Sequence, residues 1–205
     1  AASTVDVALA AGEAVSDILI EMKSKALAAS DTSLDTASRS ALNEDFKALR
    51  DQIGKIVSNA SFNGTNLINN TVTSISALAN ASGSSTISIS DENLSLGGGV
   101  VTLAATASMD SAGTAATLAG TISTSLNNLN SSLARLGTAS KSVGIHKDFV
   151  GKLADALTQG IGNMVDADLA KESARLQSLQ VKQQLGVQAL SIANSAPSTI
   201  LGYFR

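Results

Sequence analysis

The hydrophobic pattern is strongest between Ile122 and Leu157. Apolar residues recur there every seven positions, at Ile122, Leu129, Leu136, Val143, Val150 and Leu157. An offset of four gives a second row, Leu126 and Leu133 followed by Ser140, Lys147 and Ala154. This spacing predicts a helix packed lengthwise against other helices, with Ile122, Leu126, Leu129, Leu133, Leu136, Val143, Val150 and Leu157 as its seam. No proline interrupts it, and Gly137, Gly144 and Gly151 lie off the main stripe. Each glycine costs about 1 kcal/mol relative to alanine, so the helix depends on packing rather than propensity.

Residues 3–29 carry a second helical pattern, with Val5, Ala8, Gly12, Val15, Leu19, Met22, Ala26 and Ala29 at spacings of three and four. Ser30–Ser33 breaks it. Thr32 with Asp35 reads as a capping box opening a further helix, whose face is Leu42, Phe46, Leu49, Ile53 and Ile56 and which ends near Asn59. The short connection makes these two helices antiparallel neighbours. Phe62, Asn63 and Gly64 then form a turn, since Asn and Gly both tolerate positive φ. Phe62 and Leu67 are expected to tuck back onto the helix pair.

Helical periodicity stops between residues 70 and 110. Thr86–Ser90 alternates as a half-buried strand, Asp91–Asn93 and Gly97–Gly99 read as turns, and Val100–Leu103 as a partner strand. This predicts a small exposed β-hairpin. Helical pattern resumes near Thr114 and runs to about Leu157. Gln159–Asn163 is a weak spot, with Asn163 as an N-cap and Asp166 in the following turn. The last helix is expected over Met164–Asn194, limited by Pro197. Its rows contain Leu169, Leu176, Leu179 and Leu190, while Val181, Leu185 and Ile192 lie on a different side. A helix apolar on two sides must be covered from two sides.

Size converts these elements into an architecture. A compact globule of 205 residues would be roughly 40 Å across. The seam helix alone, at about 44 residues, would be roughly 65 Å long. The expected fold is mainly α: an elongated antiparallel helical bundle or coiled-coil rod with a small β-hairpin flap and a long C-terminal helix. Beyond Ile145 a second apolar row, Ile145, Phe149 and Leu153, faces a side with no partner helix in the sequence.

Composition narrows the function. Net charge is −3 and 15% of residues are charged, so no basic face offers itself to nucleic acid. Aromatics are 2% and cysteine is absent, which removes a large aromatic core and thiolate chemistry. No apolar run approaches the roughly 18 residues of a membrane helix. His146 is the only histidine and has no metal-ligand spacing around it. Gly97–Gly99 lacks the Lys-Ser/Thr of a phosphate loop. The carboxylates Glu44, Asp45 and Asp51 read as a solvated helix face. No catalytic, metal or cofactor site emerges, and the chain is expected not to be an enzyme.

The stretch from Leu126 to Arg205 resembles the C-terminal region of bacterial flagellin. Asp166-Ala167-Asp168-Leu169-Ala170 and Glu172 open the last helix, and Gln183-Gln184, Ala193-Asn194, Pro197 and an apolar tail follow. The helix pair closed by Ser61-Phe62-Asn63-Gly64 resembles the family's N-terminal half, and Tyr203-Phe204-Arg205 is similar to flagellins of α-proteobacterial type. The resemblance implies residues 1–69 as the N-terminal half of a rod domain and 70–112 as a β-hairpin module. It implies 113–160 as the long C-terminal rod helix and 161–205 as a terminal helix lining a filament core. It further implies a preceding N-terminal helix, a homopolymer of subunits, type III export to an extracellular filament, and motility. A flagellar secretion chaperone would hold the C-terminal helix before export. The polymer or chaperone interface would be Leu169, Leu176, Leu179, Leu185, Val187, Leu190, Ile192, Leu201, Tyr203 and Phe204. Two other readings compete. One is a hook–filament junction protein, which shares the terminal helices. The other is a cell-surface glycan-binding protein on the same rod, for which Tyr203 is the only tyrosine and tryptophan is absent.

Overall fold

In the computed structural model the described residues are 1–80 and 84–202, the side chains of 166–167 and 195–202 excepted. The order is α1 (Ala2–Ala29), α2 (Thr36–Asn59), β1 (Ser61–Phe62), β2 (Thr65–Asn66), β3 (Ser74–Leu78), β4 (Thr86–Ser90) and α3 (Ala112–Gly202). The class is mainly α with two small antiparallel strand pairs, as the pattern requires. The chain divides into two units, Ala1–Asp148 and Phe149–Arg205.

The first unit is built on α1, whose eight periodic positions from Val5 to Ala29 are all buried. The loop after it closes on one side chain. Arg39 donates from Nε to the Ala29 carbonyl, an acceptor that the end of α1 leaves open, and from Nη2 to the loop carbonyls of Asp31 and Leu34. The cap of α2 is Asp35 rather than Thr32. Its Oδ1 accepts from the Ser38 amide at 2.9 Å and its Oδ2 from the Ser38 hydroxyl at 2.7 Å. These bonds, the amide first, hold the Asp35 carboxyl below the usual carboxylate range. A carboxylate three residues ahead of a Ser amide caps better than a threonine one turn too early. The buried face of α2 is turned by one residue from the apolar spacing. Asn43, Phe46, Ile53 and Val57 are buried, with Leu42, Leu49 and Ile56 half-buried on its flank.

Asn63 (φ 51°) and Gly64 (φ 77°) form the tight turn between β1 and β2, pairing Phe62 with Thr65. Leu67 is fully buried, but Phe62 is 46% exposed and does not tuck back. In a two-residue hairpin Phe62 alternates to the outer face while Asn66 goes in. Asn66 Nδ2 there donates to the Val57 carbonyl.

The hairpin differs from expectation. The partner of Thr86–Ser90 is Ser74–Leu78, in a register running from Ser74↔Ser90 to Leu78↔Thr86. Val100–Leu103 forms no strand. Val100, Val101 and Leu103 are buried, together with Leu94, Ala107 and Met109. Residues 91–111 are thus an apolar strap over the helices rather than an exposed flap. Three apolar residues in four are stabilised more by burial than by an edge ladder that would leave half of them wet.

Helix α3 opens two residues before Thr114, on a reciprocal cap. Ser111 Oγ accepts from the Thr114 amide at 3.1 Å, and Thr114 Oγ1 accepts from the Ser111 amide at 2.9 Å. The helix then runs to Gly202 without the expected break at Gln159–Asn163, and Asn163 caps nothing. Neither Gly160 nor Gly162 takes the positive φ of a helix C-cap, so the i→i−4 ladder continues through both. Pro197 lies inside the helix rather than ending it. A proline removes one ladder bond, and the flanking turns keep theirs.

Candidate functional site

Two pairs fix the register of α1 against α3. Ser140 Oγ donates to Asp6 Oδ1 at 3.3 Å, and a Cβ placed on Gly12 would sit 2.5 Å from Leu133 Cδ2. Going from Asp6 to Gly12 on α1 means going back from Ser140 to Leu133 on α3, so the two helices run antiparallel. A side chain at Gly12 would have to displace the Leu133 methyl that occupies the space of its Cβ.

The structure buries Ile122, Leu129, Leu136 and Val143 of the seam, the first three to 1% exposure or less. Leu126 and Leu133 are half-buried. The second fully buried row lies three residues after the first, not four, and consists of Ser125 and Ser132. Serines at these positions let backbones approach closely, provided their hydroxyls are satisfied. Ser125 Oγ donates to the Thr121 carbonyl and accepts from the Thr102 amide of the strap. Ser132 Oγ accepts from Arg135 Nη2 at 2.9 Å. A three-residue offset was visible in the sequence, but serine there reads as surface until the strap supplies a partner.

Val150 and Leu157 are the corrections to the seam: they are 43% and 58% exposed. The register explains where burial stops. With Asp6 facing Ser140, Ala1 is level with about Ile145, close to the end of the first unit at Asp148. Ile145, Phe149 and Leu153 are exposed as well, at 62%, 56% and 45%.

The strap is pinned at both ends. Asn43 is buried on α2, where Oδ1 accepts from the Met109 amide at 2.6 Å and Nδ2 donates to Asp110 Oδ1 at 3.4 Å. Arg50 Nη1 donates to the Ala107 carbonyl. At the other end Arg135 makes a two-pronged pair with Glu92, 2.6 Å on each oxygen. Burial alone would push the Glu92 carboxyl up. Hydrogen bonds from Arg135 and Ser132, with the Arg135 charge, outweigh it and hold Glu92 below its usual range. Its neighbour Asp91 is pushed up, chiefly by burial and then by the Glu92 charge, against the Asn70 amide that it accepts. Asp91 Oδ1 is buried without a hydrogen bond.

The second unit carries the remaining apolar residues of α3. Leu169, Leu176, Leu179, Leu185, Val187, Leu190 and Ile192 are all more than half exposed, as are Val181, Ile161 and Met164. They cover more than one side of the helix, since Leu185 and Leu190 are five residues apart and Leu179 and Val181 two. The side chain of Leu201 and all of Tyr203 and Phe204 lie outside the described residues. Among the described residues no three His, Cys, Asp or Glu side chains gather as metal ligands. No described helix is long and apolar enough to cross a membrane.

Comparison with known proteins gives consistent matches at both ends. The family model for the bacterial flagellin N-terminal helical region matches residues 1–73, and that for the bacterial flagellin C-terminal helical region matches residues 119–204. The chain is 57% identical over 203 residues to flagellin FljM of Caulobacter vibrioides, covering 99% of this chain and 73% of that protein. It is 36% identical over 218 residues to a flagellin of Brucella melitensis, covering 100% of this chain and 75% of the relative. In structure it is similar to Bacillus cereus flagellin, with a TM-score of 0.60 at 24% identity over 70% of this chain and 81% of the other, a likeness of fold.

Proposed function

The chain belongs to the bacterial flagellin family, whose members build the extracellular flagellar filament, and on that premise we propose how it joins one. The first unit is a folded rod segment, and the second unit is the assembly element. In the filament the exposed rows on α3, Leu169, Leu176 and Leu190 with Leu179, Leu185, Val187 and Ile192, are covered by other subunits. Before export the same residues, continued by Leu201, Tyr203 and Phe204, are covered by a flagellar secretion chaperone. The terminal stretch lines the filament core.

One observation carries this reading: a helix with large apolar residues on several sides, nearly all more than half exposed in the single chain. Fully burying a Leu, Ile or Val contributes about 1.5–3 kcal/mol, so such a helix gains many kcal/mol from any partner that encloses it.

The test uses a Thr106→Cys variant, the only thiol in a chain that has no cysteine. Thr106 is exposed in the strap, outside every helix. Flagella from cells producing the variant, treated with a fluorescent maleimide, are expected to label along their whole length. Unlabelled filaments with the labelled chain retained in the cytoplasm would overturn the proposal. For the chaperone, gel filtration of the chain with the organism's flagellar export chaperones should give a complex that Leu185→Glu/Leu190→Glu abolishes.

A further inference from the structure

The β3–β4 hairpin lacks the devices that normally protect a strand edge. From Ile56 to Ser90 there is no Asp, Glu, Lys, Arg or Pro. Natural sheets blunt their edges with charge, proline or bulges, because an open edge pairs with whatever strand it meets. Among the described residues this sheet has two strands, so each has one open edge.

The ladder shows which groups those edges present. The Asp91 amide donates to the Thr73 carbonyl and the Ala79 amide to the Ser85 carbonyl. With the observed register, Thr73/Asp91, Ile75/Ile89, Ala77/Ile87 and Ala79/Ser85 are the bonded pairs. The residues between them, Ser74, Ser76 and Leu78 on β3 and Thr86, Ser88 and Ser90 on β4, turn their N–H and C=O groups outward. All six are exposed. Their neighbours face inward instead: Ile89 is buried, and Val72, Ile75 and Ile87 pack on the core. The hairpin is held to the rod by one face; the β4 edge at Ser88 and Ser90 borders a groove against Arg135, Leu136 and Ala139 of α3, and both residues are exposed there.

We propose that the outer edge of β3 pairs with the outer edge of β4 in a second copy of this chain, joining hairpins of neighbouring subunits into one antiparallel sheet. The proposal rests on the filament reading for bringing copies side by side. Three features select another copy as the occupant. The edges carry no like charges to repel one another. Each hairpin offers one edge of each kind, so pairing is head-to-tail and propagates along a helical array rather than closing a dimer. Subunits pointing the same way place β3 antiparallel to the next β4, which continues the alternation already present within the hairpin.

Single-cysteine variants test this in filaments sheared from producing cells and oxidised. Chains carrying Ser76→Cys alone co-assembled with chains carrying Ser88→Cys alone, and likewise Ser74→Cys chains with Thr86→Cys chains, are expected to give disulfide-linked dimers on non-reducing gels. The two cysteines are kept on separate chains because Ser76 faces Ser88 within one hairpin. A variant with Gly113→Cys alone, away from the hairpin, is expected to stay monomeric. Ser76→Pro adds a second readout. The Ser76 amide is not used within the hairpin, so proline leaves the intrachain ladder whole and removes only the outward donor. It should slow filament growth about tenfold with the circular dichroism of the chain unchanged. Filaments without cross-links from either pair would overturn the edge pairing and leave the filament reading standing. Cross-linked dimers from concentrated mixtures of the two chains that form no filament would support the pairing and remove that reading.

Discussion

Replacing Asn43 by alanine tests the strap most sharply. Asn43 is 7% exposed, and its Oδ1 is the acceptor for the Met109 amide at 2.6 Å. Met109 is itself 1% exposed, so in the variant its N–H stays buried with no acceptor. A stranded buried donor costs about 1–3 kcal/mol. Alanine returns roughly 0.5 kcal/mol because it is the better helix former. The bond to Asp110 at 3.4 Å is long and contributes little. The expected net loss is about 1.5 kcal/mol. For a unit of this size that lowers the melting temperature by roughly 3–6 °C. Native-state hydrogen exchange adds a local reading: the Met109 amide should exchange about tenfold faster. Asn43→Asp keeps the Oδ1 acceptor but sets a carboxylate against Asp110. Two carboxylates side by side repel once both are charged, so this variant should lose stability as pH rises. An Asn43→Ala protein with unchanged melting temperature and unchanged Met109 exchange would refute the reasoning.

Three further outcomes follow from the same geometry. Leu129→Ala, at a fully buried seam position, should cost about 2–5 kcal/mol by urea denaturation, whereas Leu157→Ala, 58% exposed, should stay within about 0.5 kcal/mol in the unassembled chain. Gly64→Ala meets no steric contact but must hold φ at +77°, so it should cost about 1–2 kcal/mol, with the loss seen as faster exchange in the β1–β2 turn. The two carboxylates at the hairpin base should act with opposite signs. Glu92 is depressed, so its contribution is present above the unfolded pKa and fades as pH falls through the folded one. Asp91 is raised, so its contribution is present in acid and lost as pH rises through its folded value. Asp91→Asn should therefore steepen the acid loss of stability, and Glu92→Gln should make it shallower, in melts taken across the carboxylate range.

The helices were legible because their burial is periodic. Val5 to Ala29 shows the α1 stripe directly, and the seven-residue spacing of Ile122 to Val143 shows where α3 meets its neighbours. What stayed hidden depends on partners distant in sequence. The strap from Asp91 to Ser111 has no period, and it is held by a few hydrogen bonds with Asn43, Arg50, Ser125 and Arg135, all distant in sequence. Ser125 and Ser132 look like surface residues until the strap and Arg135 give their hydroxyls partners. Ser74–Leu78 went unrecognised as a strand because Ala77 and Leu78 blur its alternation, while the more apolar Val100–Leu103 mimics one. The continuity of α3 through Gly160 and Gly162 was masked by local glycine penalties, which a long ladder absorbs. The exposed residues from Leu169 to Ile192 were the clearest pointer to function, since their apolar rows have more sides than one neighbour within the chain covers.

The central claim is that these rows are exposed in the single chain and enclosed in the filament. Hydrogen exchange followed by mass spectrometry over residues 161–194, in unassembled chain and in sheared filaments, measures it directly. Exchange within seconds to minutes in the free chain and protection by at least a hundredfold in filaments is the predicted result. Filaments containing the chain in which residues 161–194 still exchange as fast as in the free chain would contradict it.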